Sequence, residues 1–274
     1  MEVELKTFRL NLLPLLFLLG TILTSGPVLA NTKCRNNTHV DVKNEFIQKL
    51  ASKLDRGYLI FAACKPSPIH IDQTYAVIIT HKERTCLNEC KYNLFFLLAD
   101  NAGNKITHLY RKENALLLNR ATVKNVTLDT GLYQLSPFLR AAGIRIDKRK
   151  PEHLFQTYSN ELYLFIEDSK TFRPLFRNDN EKYPTKLSAL RMRQTERSQI
   201  DKSCNLYQTE RARTIELGNY HNGFRDLIIK SDVVDIAGLQ EKDGCAQQKI
   251  ATTKGQTVIT YDGIYYPLPN WLSP

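Results

Sequence analysis

The side chains able to do chemistry in this chain are its cysteines, histidines and arginines, and their spacing decides what is open to them. Six cysteines, Cys34, Cys64, Cys86, Cys90, Cys204 and Cys245, follow one another in neighbouring pairs. In a chain that leaves the cytosol, an even count reads as a disulfide framework, with fifteen pairings possible for three bonds. Neighbour pairing is expected: Cys34–Cys64, Cys86–Cys90 and Cys204–Cys245. Cys86 and Cys90 have three residues between them, whereas a redox pair uses two and a metal site wants a second pair close by. That leaves a loop-closing bond.

The histidines His39, His70, His81, His108, His153 and His221 are scattered and never take a metal spacing such as H-E-x-x-H. His70 and Asp72 would share a strand face, and are read as a surface pair. There is no G-x-S-x-G elbow, no Gly-rich phosphate loop, and an oxidised cysteine cannot serve as a nucleophile. The sequence therefore assigns no catalytic residue, metal ligand or cofactor.

The arginines remain. Lys and Arg number 38 against 28 Asp and Glu, a net charge of +10. Arg140, Arg145, Lys148, Arg149 and Lys150 form one basic span; Arg191, Arg193, Arg197, Arg211 and Arg213 form another. In strands, Arg191 and Arg193 would share a face, as would Arg211 and Arg213. Two such rows can grip carboxylates or phosphates bidentately, so these four are the candidate binding residues. The competing reading is a solvated charged face that maintains solubility.

The elements that must position these groups begin after residue 30. Lys6 and Arg9 precede the apolar stretch Leu10–Ile22, and a polar, helix-breaking segment then leads to Val28-Leu29-Ala30. This is the layout of a secretory signal cleaved after Ala30. At about thirteen residues, its apolar core is short of the roughly 20 that span a bilayer. Glu2 and Glu4 cancel Lys6 and Arg9, so the remaining chain keeps the net charge of +10. Val42, Phe46, Ile47, Leu50 and Leu54 mark an N-terminal amphipathic helix, with Asp41 as its cap.

Most of the rest reads as strand. Gly57–Ala63, Thr74–Thr80 and Tyr92–Ala99 are rich in aromatic and β-branched residues, and Asp100–Asn104 form a hairpin turn before Lys105–Tyr110. Glu161–Glu167 and Thr171–Phe176 form a second hairpin, and Thr257–Tyr261 with Ile264–Pro267 a third, about Asp262-Gly263. The fold class is thus mainly β, as antiparallel sheets or a sandwich, with one N-terminal helix. Asp147–Glu152 reads as a linker or polar loop. The polar stretch Arg191–Ser203 suggests a boundary between a β domain at 31–200 and a small disulfide-held β module at 201–274. One continuous sandwich is the alternative.

Within that last segment, Gly223-Phe224-Arg225-Asp226-Leu227 is followed by Tyr261-Asp262-Gly263-Ile264-Tyr265. The pairing resembles a β module of exported bacterial proteins of unknown role, and is similar to one blade of FG-GAP repeat proteins. It departs from the calcium-binding form of those repeats, since no alternating Asp/Asn run precedes Gly223. Asp226 and Asp262 are read as structural, bonded to neighbouring backbone. Thr127–Ile146 resembles a stretch of the same exported proteins. The resemblance implies a bacterial, periplasmic setting and brings no activity.

The function expected is that of an exported, periplasmic or secreted, non-enzymatic protein that binds a partner in the cell envelope. That partner would be an anionic envelope component or an acidic exported protein, and not nucleic acid. With the signal removed, the chain would not be an integral membrane protein. An inhibitor or immunity protein against an exported enzyme is a more specific version. The competing class is an envelope-polymer hydrolase with a carboxylate pair in a cleft. The tail Tyr265–Leu272, which carries Trp271, is expected to finish the core.

Overall fold

Strands rich in β-branched and aromatic residues organise the computed structural model, which describes residues 34, 44–54, 57–83, 89–119, 121–152, 155–178, 187–199, 206–241 and 244–274. The expected signal, Met1–Ala30, lies outside them, and no helix of the described residues is long and apolar enough to cross a membrane. The described residues are mainly β, with a single short α-helix among them, α1 (Glu45–Leu54).

A first sheet is an antiparallel meander of β1 (Tyr58–Pro66), β2 (Gln73–His81), β3 (Glu89–Asp100) and β4 (Ile106–Asn119). Its middle strands are apolar on both faces because both faces are buried. Tyr75, Val77, Ile79, Leu94, Phe96 and Leu98 point into the space between two sheets. Ala76, Ile78, Phe95, Leu97 and Ala99 point the other way, onto Phe46, Ile47 and Leu50 of α1. The unbroken apolar run in β3 is the sequence trace of that double burial.

The side chain of Asn44 caps α1, its Oδ1 accepting the amides of Phe46 (3.0 Å) and Ile47 (3.3 Å). The helix thus begins after Asn44; the expected cap Asp41 and first apolar residue Val42 lie outside the described residues. Lys53 Nζ donates to the carbonyls of Gly103 (2.9 Å) and Asn104 (2.5 Å), tying the helix to the β3–β4 turn.

The second sheet runs β13-β12-β11-β10-β7-β6-β5, with β8 also paired to β7. Its strands are β5 (Thr122–Ser136), β6 (Leu139–Glu152), β7 (Phe155–Asp168), β8 (Thr171–Pro174), β10 (Leu190–Gln199), β11 (Leu206–His221), β12 (Phe224–Glu241) and β13 (Gly244–Ile259). Val126, Leu128, Ile144, Ile146, Tyr163 and Phe165 pack against the first sheet and make the sandwich core. The other face of β7, through Leu162, Leu164 and Ile166, underlies a second core with Leu227, Ile229, Ile259, Tyr266, Leu268 and Leu272.

Several elements differ from expectation. Asp147–Glu152 is no linker: it continues β6 in full pairing with β7. Its charges are compatible with a strand because its neighbours there are polar too. The Arg-rich stretch expected to mark a boundary contains β10, which pairs with β7 on one side and β11 on the other, so strands from both expected parts lie in one sheet. The hairpin about 168–170 forms as β7–β8, and that about 101–104 as β3–β4. The third does not. β13 ends at Ile259, and β14 (Tyr266–Leu268) pairs in parallel with β9 (Phe176–Asn178). The Asp262-Gly263 turn redirects the chain across the second core.

The expected bond Cys34–Cys64 is present, linking residues 30 apart in sequence. Cys90 and Cys245 are also disulfide-bonded, and no described cysteine is free. Cys86 and Cys204 lie outside the described residues.

Candidate anion-binding site

The register of β10 decides what the arginine rows become. Arg191 stands opposite Glu161 of β7, but a bulge intervenes, and Arg193 stands opposite the next residue, Asn160. Successive residues of β7 point to opposite faces, so Arg191 and Arg193 do too. Their expected common face is thereby corrected: Arg191 is half-buried and Arg193 is exposed on the other side. Arg211 and Arg213 do share a face of β11, opposite Val233 and Ser231 of β12.

Arg191, Arg211 and Arg213 come together. Arg191 Nη1 donates to Gln194 Oε1 at 2.9 Å, and Gln194 in turn donates to Glu196. Arg211 Nη1 lies 3.3 Å from Glu196 Oε1. Arg213 is 8 % exposed; its Nη1 donates to the Arg191 carbonyl at 2.5 Å and its Nη2 to the Trp271 carbonyl at 3.4 Å. Its Nε has no partner, and neither does the buried Oγ of Ser231 across the ladder. Among the described residues, no carboxylate forms an ion pair with Arg213.

A buried cation without a counter-ion is costly, and this one feels it. Burial first, then the charges of Arg191 and Arg211, push the Arg213 guanidinium down to about 10. Arg191 is lowered as well, by burial above all and then by Arg211, although Glu161 and Glu196 pull the other way. Glu161 is the internal counter-ion: it is 2 % exposed and takes Lys148 Nζ at 2.5 Å and the Tyr163 hydroxyl at 2.8 Å. Four cations, Lys148, Arg191, Arg211 and Arg213, thus face two carboxylates, Glu161 and Glu196. The cluster carries an excess of two positive charges.

Trp271 closes over it, with Arg213 Cζ 5.7 Å from the indole centroid. The tail as a whole packs inward through Tyr266, Leu268 and Leu272, but Trp271 itself is 53 % exposed. The expectation that the tail finishes the core is right for those three and wrong for Trp271. Its place in the cluster could not be read from sequence, because it depends on where the tail crosses β11.

The other basic span is dispersed. Arg140 donates to the carbonyls of Thr130 and Gly131, and Arg145 Nε bonds Asp129 Oδ2 at 2.6 Å. Arg149 lies over the Tyr158 ring at 5.6 Å. Asp129 and Arg145 line an open cleft of about 530 Å³ with Lys65, Thr127, Leu128, Thr130 and Gly131. Asp129 is the one carboxylate in that lining, and the Gly131 amide, the Tyr133 hydroxyl and Arg145 occupy it.

His70 does not pair with Asp72. Its Nε2 meets Glu167 at 3.0 Å, and Glu167 also accepts the Tyr75 hydroxyl at 2.9 Å, so this histidine links the β1–β2 loop to β7. Asp226 is held by His221 Nδ1 at 2.9 Å. Asp262 Oδ1 accepts the amides of Ile264 (2.8 Å) and Tyr265 (2.7 Å), and Arg177 approaches Oδ2 at 2.9 Å. Partial burial would raise the Asp262 carboxyl, but those backbone donors and Arg177 outweigh it and hold it below its usual range. Among the described residues, no group of acidic, His or Cys side chains is arranged to hold a metal ion. Compared with family models, curated proteins and solved structures, the chain matches none.

Proposed function

We propose that this chain is an exported, non-enzymatic protein of the bacterial periplasm that binds a carboxylate- or phosphate-bearing partner in the cell envelope. The observation that carries the reading is Arg213: a buried guanidinium beside two further arginines, with no carboxylate paired to it among the described residues and an unused Nε. Such a group is stabilised when an anion arrives. The Cys34–Cys64 bond and the secretory layout of residues 1–30 support an oxidising compartment. The resemblance of the C-terminal segment to exported bacterial proteins supports the same setting.

Trp271 is the only tryptophan of the chain, so its emission reports on this cluster alone. Poly-L-glutamate titrated into the protein from Asn31 onward at low salt is expected to change that emission saturably. The change should fade as salt rises, because partly exposed charges are screened. Arg211→Glu should weaken binding about tenfold or more while the far-ultraviolet spectrum stays that of the parent. A folded protein with unchanged emission, or an Arg211→Glu variant that binds as well as the parent, would overturn the reading.

A further inference from the structure

A second surface, the outer edge of the same sheet two strands from Arg213, points to how a protein partner engages. The second sheet ends at β13, a strand of 16 residues, or about 50 Å when extended. From Gln247 to Gln256 every residue is exposed. Neighbouring residues of a strand face opposite ways, so unbroken exposure means that both faces and the outer edge are open. None of the three cores draws a described residue from 230–257.

The other sheet edges meet neighbouring elements over part of their length. β5 and β1 lie against each other, and β5 also meets β12. β4 is capped by the β7–β8 turn, where Thr171 Oγ1 donates to the Leu109 carbonyl at 2.7 Å. Along β13, by contrast, alternate backbone amides and carbonyls have no described strand to pair with. The exposed edge carries no proline, and the one bulge in its ladder with β12 falls at Asp235/Ile236. A long edge with these properties is a template for strand addition.

Charge selects the occupant. β13 carries Lys249 and Lys254 and no acidic residue. Lys249 faces Ile236 across the ladder and Lys254 faces Asp232; among the described residues neither lysine forms an ion pair. A second copy would bring +10 against +10 and lysines near lysines, which opposes self-pairing. We infer that β13 receives an extended acidic segment of a partner protein as an added antiparallel strand. This goes beyond the anion site: the ladder supplies affinity through main-chain bonds, and the lysines set the sign of charge accepted.

The test uses the protein from Asn31 onward and a strand-length Thr/Val/Gln peptide with two glutamates set opposite Lys249 and Lys254. A control peptide has lysine at both places. Amide hydrogen exchange is expected to slow at alternate residues of Ala246–Thr257 with the glutamate peptide only. Lys249→Glu/Lys254→Glu should weaken that peptide about tenfold and reverse the preference between the two. Poly-L-glutamate should still shift Trp271 emission in this variant, so failure at the edge and failure of the arginine cluster are told apart. Equal protection by both peptides, protection outside β13, no protection in the folded protein, or dimerisation of the free chain through β13 would each overturn the inference.

Discussion

Glu161→Ala is the substitution on which the reasoning about the cationic cluster can be pressed hardest. Glu161 and Lys148 meet at 2.5 Å with side chains only 3 % and 15 % exposed. Removing one partner of a buried pair costs about 3–5 kcal/mol, because the other charge stays behind unpaired. The Tyr163 hydroxyl loses its acceptor too, which adds about 1–3 kcal/mol. Lys148 keeps a little contact with water, so the total expected is about 4 kcal/mol, a large part of a typical domain stability of about 5–15 kcal/mol. Urea unfolding followed by circular dichroism measures it. Lys148→Met alone should also destabilise, by about 3 kcal/mol, whereas the double variant should cost at least about 2 kcal/mol less than the two singles summed. Glu161→Gln keeps an acceptor for Tyr163 but removes the charge, and should tighten poly-L-glutamate binding at Arg213. A Glu161→Ala cost below about 1 kcal/mol, or strict additivity in the double variant, would refute the claim that Glu161 is the internal counter-ion.

Further outcomes follow from other parts of the fold. Asn44→Ala removes the cap of α1 and should lower stability by about 1 kcal/mol in the same urea experiment. Cys34→Ser/Cys64→Ser opens a crosslink between residues 30 apart, and should lower the urea-derived stability by about 3.5 kcal/mol on the chain-entropy account. Burial above all raises the hydroxyls of Tyr75, Tyr133, Tyr163 and Tyr266, and that of Tyr110 to about 12. The folded state then holds protons that the unfolded chain gives up near 10. Their stabilisation is complete below pH 10 and is lost as pH rises through 12. Arg213, lowered to about 10, works in the opposite direction above that pH but is a single group. The urea midpoint should therefore fall between pH 9 and pH 11; a flat or rising midpoint would contradict the assignment.

Much of this protein was written locally. The runs Thr74–Thr80 and Asn93–Ala99 announce strands because β-branched and aromatic side chains fit a pleated surface, and their lack of alternation announces burial on both faces. The β7–β8 hairpin and the Cys34–Cys64 bond were legible for the same reason: each depends on neighbours in sequence. The helix was legible from Phe46, Ile47 and Leu50, while its start after Asn44 rests on a single side-chain contact that periodicity does not encode.

The candidate site was only half visible. Four arginines could be singled out by type, but strand alternation predicts one face for Arg191 and Arg193, and the bulge in β10 inverts it. Nor does any local pattern bring Glu161 to Arg191, or Trp271 and Ser231 to Arg213, since they lie on β7, in the tail and on β12. Sequence determined the alphabet of this fold, its strands, its positive charge and its cysteines, because propensity, charge and chain proximity act over a few residues. Tertiary structure decided which arginine is buried without a counter-ion and which strand edge is left open, because burial and pairing depend on segments that meet only when the sheets close.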